Sequence, residues 1–94
     1  MAALIRRRDP VAVVLYGRAG CHLCDDAARA LDRIGAKVKI DLEEVDIDTE
    51  DRLVAEFAVR IPVVVDVVAG TVLAEGDIDE RALLTTLRRI AQSR

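Results

Sequence analysis

The sequence predicts an α/β fold of the order β-α-β-α-β-β-α, with a four-stranded mixed sheet covered by helices. Three stretches carry that prediction. Val11 to Tyr16 is an unbroken apolar run of strand length that stops at Gly17. Leu23, Ala27, Leu31 and Ile34 recur at spacings of four, four and three, the period of a helix with one face turned inward. Val63 to Val68 is a second apolar run, broken only by Asp66, that meets Ala69-Gly70 and is followed by Thr71 to Ala74, the outline of a hairpin.

Residues 1–10 form an N-terminal flank and residues 11–94 one domain. The strand at 11–16 is apolar at every position, which predicts burial on both faces, as in a parallel sheet. A helix should run from Cys21 to about Ile34, with Gly35 as its stop. In KIDLEEVDID, Ile40, Leu42, Val45 and Ile47 alternate imperfectly with acids, giving a second strand that ends near Ile47. Asp48 or Thr49 can cap a short helix over about 50–58, with Leu53, Val54 and Phe57 on one side. After the hairpin, Gly76 breaks the return arm and Asp77 or Asp79 caps a last helix to about Gln92, marked by Leu83, Leu84, Leu87, Ile90 and Ala91. The sheet is mixed because a helix joins a parallel pair, whereas the hairpin is antiparallel.

A chain of 94 residues has room for one small core. That core must be aliphatic, because Tyr16 and Phe57 are the only aromatic residues. The formal net charge of −3 gives no reason to expect nucleic-acid binding, and the run Arg6, Arg7, Arg8 reads as a solvated flank. No stretch approaches the roughly 18 apolar residues of a membrane span. The start MAALIRRRDP has its charges after its apolar residues, the reverse of a secretory signal. A cytoplasmic monomer is therefore expected. In that compartment structural disulfides are rare, so a close cysteine pair points to catalysis or metal binding.

Both cysteines lie in YGRAGCHLCDD at 16–26, with His22, the single histidine, between them. They could form a redox pair, half of a metal site, or two inert thiols. Cys21 should stand at the strand-to-helix junction, at or near the first helical position. Unpaired N–H groups and the positive end of the helix dipole favour a thiolate there. Cys24 lies nearly one turn on, on the same edge and close enough for a disulfide. The expectation is an exposed, low-pKa Cys21 and a more buried Cys24. Lowering a thiol from pKa ~8.5 to ~7 raises its thiolate fraction at neutral pH from about 3% to about 50%, but falling nucleophilicity leaves a net gain of only about threefold. The low pKa acts mainly by making Cys21 a good leaving group when Cys24 attacks.

Arg18 can place positive charge beside that thiolate or grip a substrate carboxylate, and it can equally be a solvated loop arginine. His22 reads as an exposed residue of the middle pair, and Asp25 and Asp26 suit the first helical turn. A structural zinc site needs four ligands, and beyond Cys21, Cys24 and His22 the chain has no other Cys or His. Two chains could still pool cysteines around zinc or an iron–sulfur cluster.

With these residues in place, the chain resembles the thioredoxin superfamily, and within it the small bacterial glutaredoxin-like proteins. Tyr16 ends the first strand, Arg18 follows two positions later, and the C-x-x-C of Cys21 and Cys24 opens the helix. Ile61-Pro62 precedes the third strand, where the superfamily has a cis proline facing the disulfide and a preceding residue whose backbone pairs with the substrate like an added strand. The departures are equally specific. His22 and Leu23 replace a Pro-Tyr pair, Arg60 takes the place of a threonine before the Ile-Pro, and Ala74-Glu75-Gly76-Asp77 stands where a Gly-Gly-x-Asp run holds the glutamyl end of glutathione. Glu75 would repel a carboxylate, while Asp77 could meet an amine.

The resemblance implies a thiol–disulfide oxidoreductase with catalytic Cys21 and Cys24. It implies a substrate surface of Tyr16, Arg18, His22, Ile61, Pro62, Gly76 and Asp77. No metal or cofactor is expected to be bound, and glutathione is a candidate reductant. The partners implied are a disulfide-containing protein or glutathione, and a reductase. The competing reading is a non-enzymatic dimer that ligates an iron–sulfur cluster or metal through Cys21; a third is a pair that only senses oxidation.

Overall fold

β1 (Val11–Gly17) is the spine of the sheet. It pairs in parallel with β2 (Ile40–Asp46) and antiparallel with β3 (Val63–Asp66), and β3 pairs with β4 (Thr71–Glu75), giving the order β2-β1-β3-β4. Three helices complete it: α1 (His22–Gly35), α2 (Asp51–Phe57) and α3 (Glu80–Ser93). The predicted element order and the mixed sheet are what this computed structural model contains. It describes residues 9–94, so Arg6, Arg7, Arg8 and most of the flank lie outside the described residues.

The two faces of the sheet are covered unequally. Side chains alternate along a strand, and Val11, Val13 and Leu15 point to the face on which α1 and α3 pack, forming one core with Ala27, Leu31, Ile34, Val38, Val64, Leu83 and Leu87. Each large aliphatic side chain fully buried there contributes about 1.5–3 kcal/mol. Ala12, Val14 and Tyr16 point the other way and are only half-buried. β1 is therefore not buried on both faces as its composition predicted. The reason is length: α2 has seven residues, about 10 Å of helix, too short to cover that face. It covers one end, where Ile47, Leu53 and Val63 are buried.

Other boundaries differ for physical reasons. The buried face of α1 is Cys24, Ala27, Ala30, Leu31 and Ile34, and Leu23, expected inside, is exposed. Gly35 remains helical and Ala36 is the C-cap. A 3-10 turn at Ile47–Thr49 takes the Asp46 carboxylate as its cap, and Glu50 stands at the N-cap of α2 without a side-chain bond, so neither Asp48 nor Thr49 caps that helix. Asp79 caps α3 by accepting from the Ala82 N–H.

β3 stops at Asp66, leaving Val67 and Val68 exposed in the turn. Asp66 opposes Val13 in the register and so shares its face, where it is 1% exposed. Its carboxylate accepts from the Arg94 guanidinium, at 3.0 Å for Nη1, and from the Val68 N–H at 3.2 Å. Hydrogen bonding from Arg94, supported by the backbone N–H groups of Ala69 and Val68, holds the carboxyl below the ordinary carboxylate range despite burial.

Candidate functional site

The register gathers four segments at one end of the sheet. Gly17, at the end of β1, opposes Asp46 at the end of β2. Tyr16 opposes Val63, which follows Pro62, and Val63 opposes Glu75, which precedes Gly76. Cys21, Asp48, Ile61-Pro62 and Gly76-Asp77 are thus carried to the same end by strands that meet there.

Cys21 is the N-cap of α1, one position earlier than a first helical residue. Its backbone is extended and its Sγ accepts the Cys24 N–H at 3.1 Å. A sulfur in that place meets an N–H that the helix itself cannot satisfy. Cys21 and Cys24 form a disulfide with their Cα atoms 5.2 Å apart. Cys21 is half-buried where an exposed thiol was expected, and Cys24, at 7% exposed, is the more buried of the two as expected. Gly17 makes the burial of Cys24 possible: a Cβ built on it would stand 3.1 Å from both the Cβ and the Sγ of Cys24.

Arg18 leaves β1 on the Cys24 side. Its Nε donates to Asp48 Oδ2 at 3.2 Å and its Nη2 to Asp48 Oδ1. This two-pronged bond holds the Asp48 carboxyl below the ordinary range. Arg18, Gly17, Cys24, Asp25, Glu44 and Asp46 line one cleft of about 210 Å³. Asp48 is thirty residues from Arg18, so no local spacing in the sequence joins them; the parallel register that sets Gly17 against Asp46 does.

On the other side, the Tyr16 and Phe57 rings stack at 4.4 Å with 20° between their planes, and the Arg60 guanidinium lies 5.3 Å from the Phe57 centroid. Arg60 donates to Glu56 at 2.8 Å and to Glu75 at 3.0 Å. It thereby spans the cis Ile61-Pro62 bond and ties the end of α2 to the end of β4. The Gly76 N–H donates to the Pro62 carbonyl at 2.8 Å, and the φ of +74° at Gly76 is one that a glycine adopts without strain. Hydrogen bonding from Arg60 holds the Glu75 carboxyl below the ordinary range. Phe57 was expected only as an apolar position of α2; its ring contacts are a part of the site that the sequence reading missed.

His22 is almost fully solvated, with its side chain 86% exposed and Nε2 3.8 Å from Asp26 Oδ2. Asp77 is exposed and lines a separate cleft with Leu23, Asp26, Arg33 and Glu80. Of the predicted substrate surface, Tyr16, Arg18, Ile61, Pro62, Gly76 and Asp77 lie at the disulfide end, and His22, next to Cys21, is turned to solvent. Among the described residues no group of three or more His, Cys, Asp or Glu side chains is placed to hold a metal ion, and no helix is long and apolar enough to cross a membrane.

Comparison with known proteins agrees with this architecture. No curated protein matches the chain. Among solved structures, protein Ne2328 from Nitrosomonas europaea is 29% identical with a TM-score of 0.76, the match covering 87% of this chain and 96% of that one. Protein XcR50 from X. campestris is 30% identical with a TM-score of 0.71, covering 82% and 96%. Thioredoxin 1 from the thermophilic eubacterium Thermosipho africanus TCF52B, 15% identical with a TM-score of 0.66 over 87% and 96%, shares the fold. The family, the fold and the Cys21–Cys24 disulfide together support a redox function. A model of the glutaredoxin-like domain (DUF836) matches residues 12–88, and the chain belongs to that family.

Proposed function

We propose that the protein is a thiol–disulfide oxidoreductase in which Cys21 attacks and Cys24 resolves. The observation that carries this reading is the Cys21 sulfur at the N-cap of α1, accepting the Cys24 N–H. In the reduced protein that bond and the helix dipole favour a Cys21 thiolate. The thiolate attacks one sulfur of a substrate disulfide, forming a mixed disulfide and releasing the other sulfur as a thiolate that takes a proton. Cys24, as thiolate, then attacks Cys21 Sγ and expels the remaining substrate sulfur. The substrate gains two electrons, and the protein is left as the Cys21–Cys24 disulfide seen here. A thiol or dithiol donor returns it to the reduced form.

Pro62 and the Ile61 backbone orient the target. The Ile61 N–H is donated to the Phe57 carbonyl at 3.0 Å, so the Ile61 carbonyl is the group this conformation offers to an N–H of the substrate chain. Arg18 carries the supporting charge, shared with Asp48. Such chemistry suits a reducing cytoplasm, where the reduced form is maintained.

The test is disulfide reduction in single turnover by the prereduced protein. Cys21→Ser should abolish it, a loss of at least about a thousandfold. Cys24→Ser should accumulate a mixed disulfide detectable by mass. Equal trapping by Cys21→Ser would reverse the order of attack. A stoichiometric iron–sulfur cluster in anaerobically purified protein, lost in Cys21→Ser, would overturn the enzyme reading.

A further inference from the structure

We propose that the ion pairs around the disulfide make the site select a polypeptide disulfide flanked by lysine or arginine and reject carboxylate-bearing thiol compounds such as glutathione, with Glu75 as a specificity-determining residue. This rests on the oxidoreductase reading above. The first observation concerns the arginines at that end. Arg18 is engaged by Asp48, and Arg60 by Glu56 and Glu75. An incoming carboxylate would have to displace a carboxylate already bound in each case. The gain from such an exchange is small, because one charge-assisted bond replaces another.

The second observation is the surplus. Asp25 and Glu44 line the Cys24 cleft without an ion pair among the described residues, Asp46 is there as the cap of the 3-10 turn, and Asp77 lies beyond Gly76. Cationic groups at the opposite end complete the asymmetry: Lys37, Lys39 and Arg88, against the single carboxylate of Asp9, line a cleft of about 440 Å³ near the start of β1. The molecule therefore presents an acidic redox end and a basic far end. That separation steers cations toward the disulfide and turns anions away.

The polypeptide character of the partner follows from the backbone. The Ile61 carbonyl and cis Pro62 offer a hydrogen-bonding edge to an extended chain. The two-ring stack of Tyr16 and Phe57, with Arg60 tied down over it by Glu75, leaves that guanidinium committed within the protein. Glu75 is thus both the lock on Arg60 and a negative charge beside the binding edge. A lysine or arginine next to the substrate cysteine meets Asp25, which has no ion pair among the described residues, and shares the Glu75 carboxylate with Arg60.

The test uses two synthetic peptides, each with one intramolecular disulfide, identical except that lysine or glutamate flanks the cysteines, together with oxidised glutathione. Prereduced protein, freed of reductant, is mixed with each in single turnover, so no unknown electron donor enters. The lysine peptide should be reduced at least about tenfold faster than the glutamate peptide at low salt, with oxidised glutathione slower than either. The ratio should shrink toward one near 0.5 M salt, where exposed charges are screened within about 4 Å. Glu75→Gln should narrow the ratio by about threefold, chiefly through faster attack on the glutamate peptide. Asp25→Asn, at an exposed position, should act in the same direction. A ratio near one at low salt, or a preference for glutamate or glutathione, overturns the proposal and leaves the oxidoreductase reading standing. No reduction of any of the three overturns both.

Discussion

The two ends of the sheet are both held by arginine–carboxylate pairs, and what separates them is burial. At the redox end the Asp48 and Glu75 side chains are 51% and 43% exposed. At the far end the Asp66 side chain is 2% exposed while Arg94 reaches it from the surface. An exposed pair contributes little to stability because water competes with both partners. A buried carboxylate stripped of its partner has no such alternative. The same chemistry therefore serves specificity at one end and integrity at the other, and the difference can be broken by substitution.

The largest effect should come from Asp66→Ala. It removes the acceptor of the Val68 N–H and releases Arg94 from the end of α3. A loss of about 2–3 kcal/mol is expected, in the range for a disrupted buried polar network. Urea unfolding should show a lower midpoint at unchanged slope, with disulfide reduction per folded molecule unaltered. The pH dependence has a definite sign. The folded carboxyl titrates below its unfolded value near ~3.9, so its contribution is fully present above that value and lost as pH falls through the lower folded one. The wild-type protein should thus converge on Asp66→Ala in acid and exceed it at neutral pH. A gap that persists unchanged at pH 2 would mean that Asp66 acts through packing alone.

The contrast also marks what the sequence could disclose. The order of elements was legible because each signal is local: the valine runs, the four-four-three spacing, the glycines at the turns. The position of Cys21 was legible to within one residue for the same reason. Burial on both faces of β1 was not, because whether Ala12, Val14 and Tyr16 are covered depends on the length of α2 and where it lies. Leu23 was read as inward along with a buried Cys24, and only Cys24 is, because a spacing of three or four fits either and the close approach of Gly17 belongs to Cys24. Asp66 looked like an interruption in an apolar strand, and its partner is twenty-eight residues away at Arg94. Arg18 with Asp48, and Arg60 with Glu75, are pairs of the same long-range kind, visible only once the strand register brings the segments together.

A smaller effect is expected from Gly17→Ala, which probes the boundary between the two roles. The new methyl would meet Cys24 Cβ and Sγ at 3.1 Å, so either the strand or α1 must give by a few tenths of an ångström. About 1 kcal/mol of destabilisation should follow, at the low end for an overpacked site. Because the crowded group is the thiol proposed to resolve, the mixed disulfide should persist several times longer while the first attack by Cys21 is little changed. Rapid-quench mass analysis would separate the two steps. Equal slowing of both would place the effect on the strand end as a whole.

The smallest effect should be that of Arg18→Gln. Its partner Asp48 is exposed, and the pair sits beside the redox cleft without touching a buried charge. Exposed pairs of this kind alter equilibria and rates by small factors, so single-turnover reduction of an uncharged small disulfide should change by no more than about threefold at moderate salt. The pH at which the Cys21 thiol ionises, followed by thiolate absorbance in a Cys24→Ser background, should shift only slightly upward, since Asp48 already neutralises much of the arginine's field and the helix end supplies the rest. A loss beyond about tenfold would show that Arg18 leaves Asp48 to act on sulfur or substrate. Exposure would then no longer be what sorts these pairs: the redox end would hold a working cation, and the rejection of carboxylates argued from its engagement would fail with it.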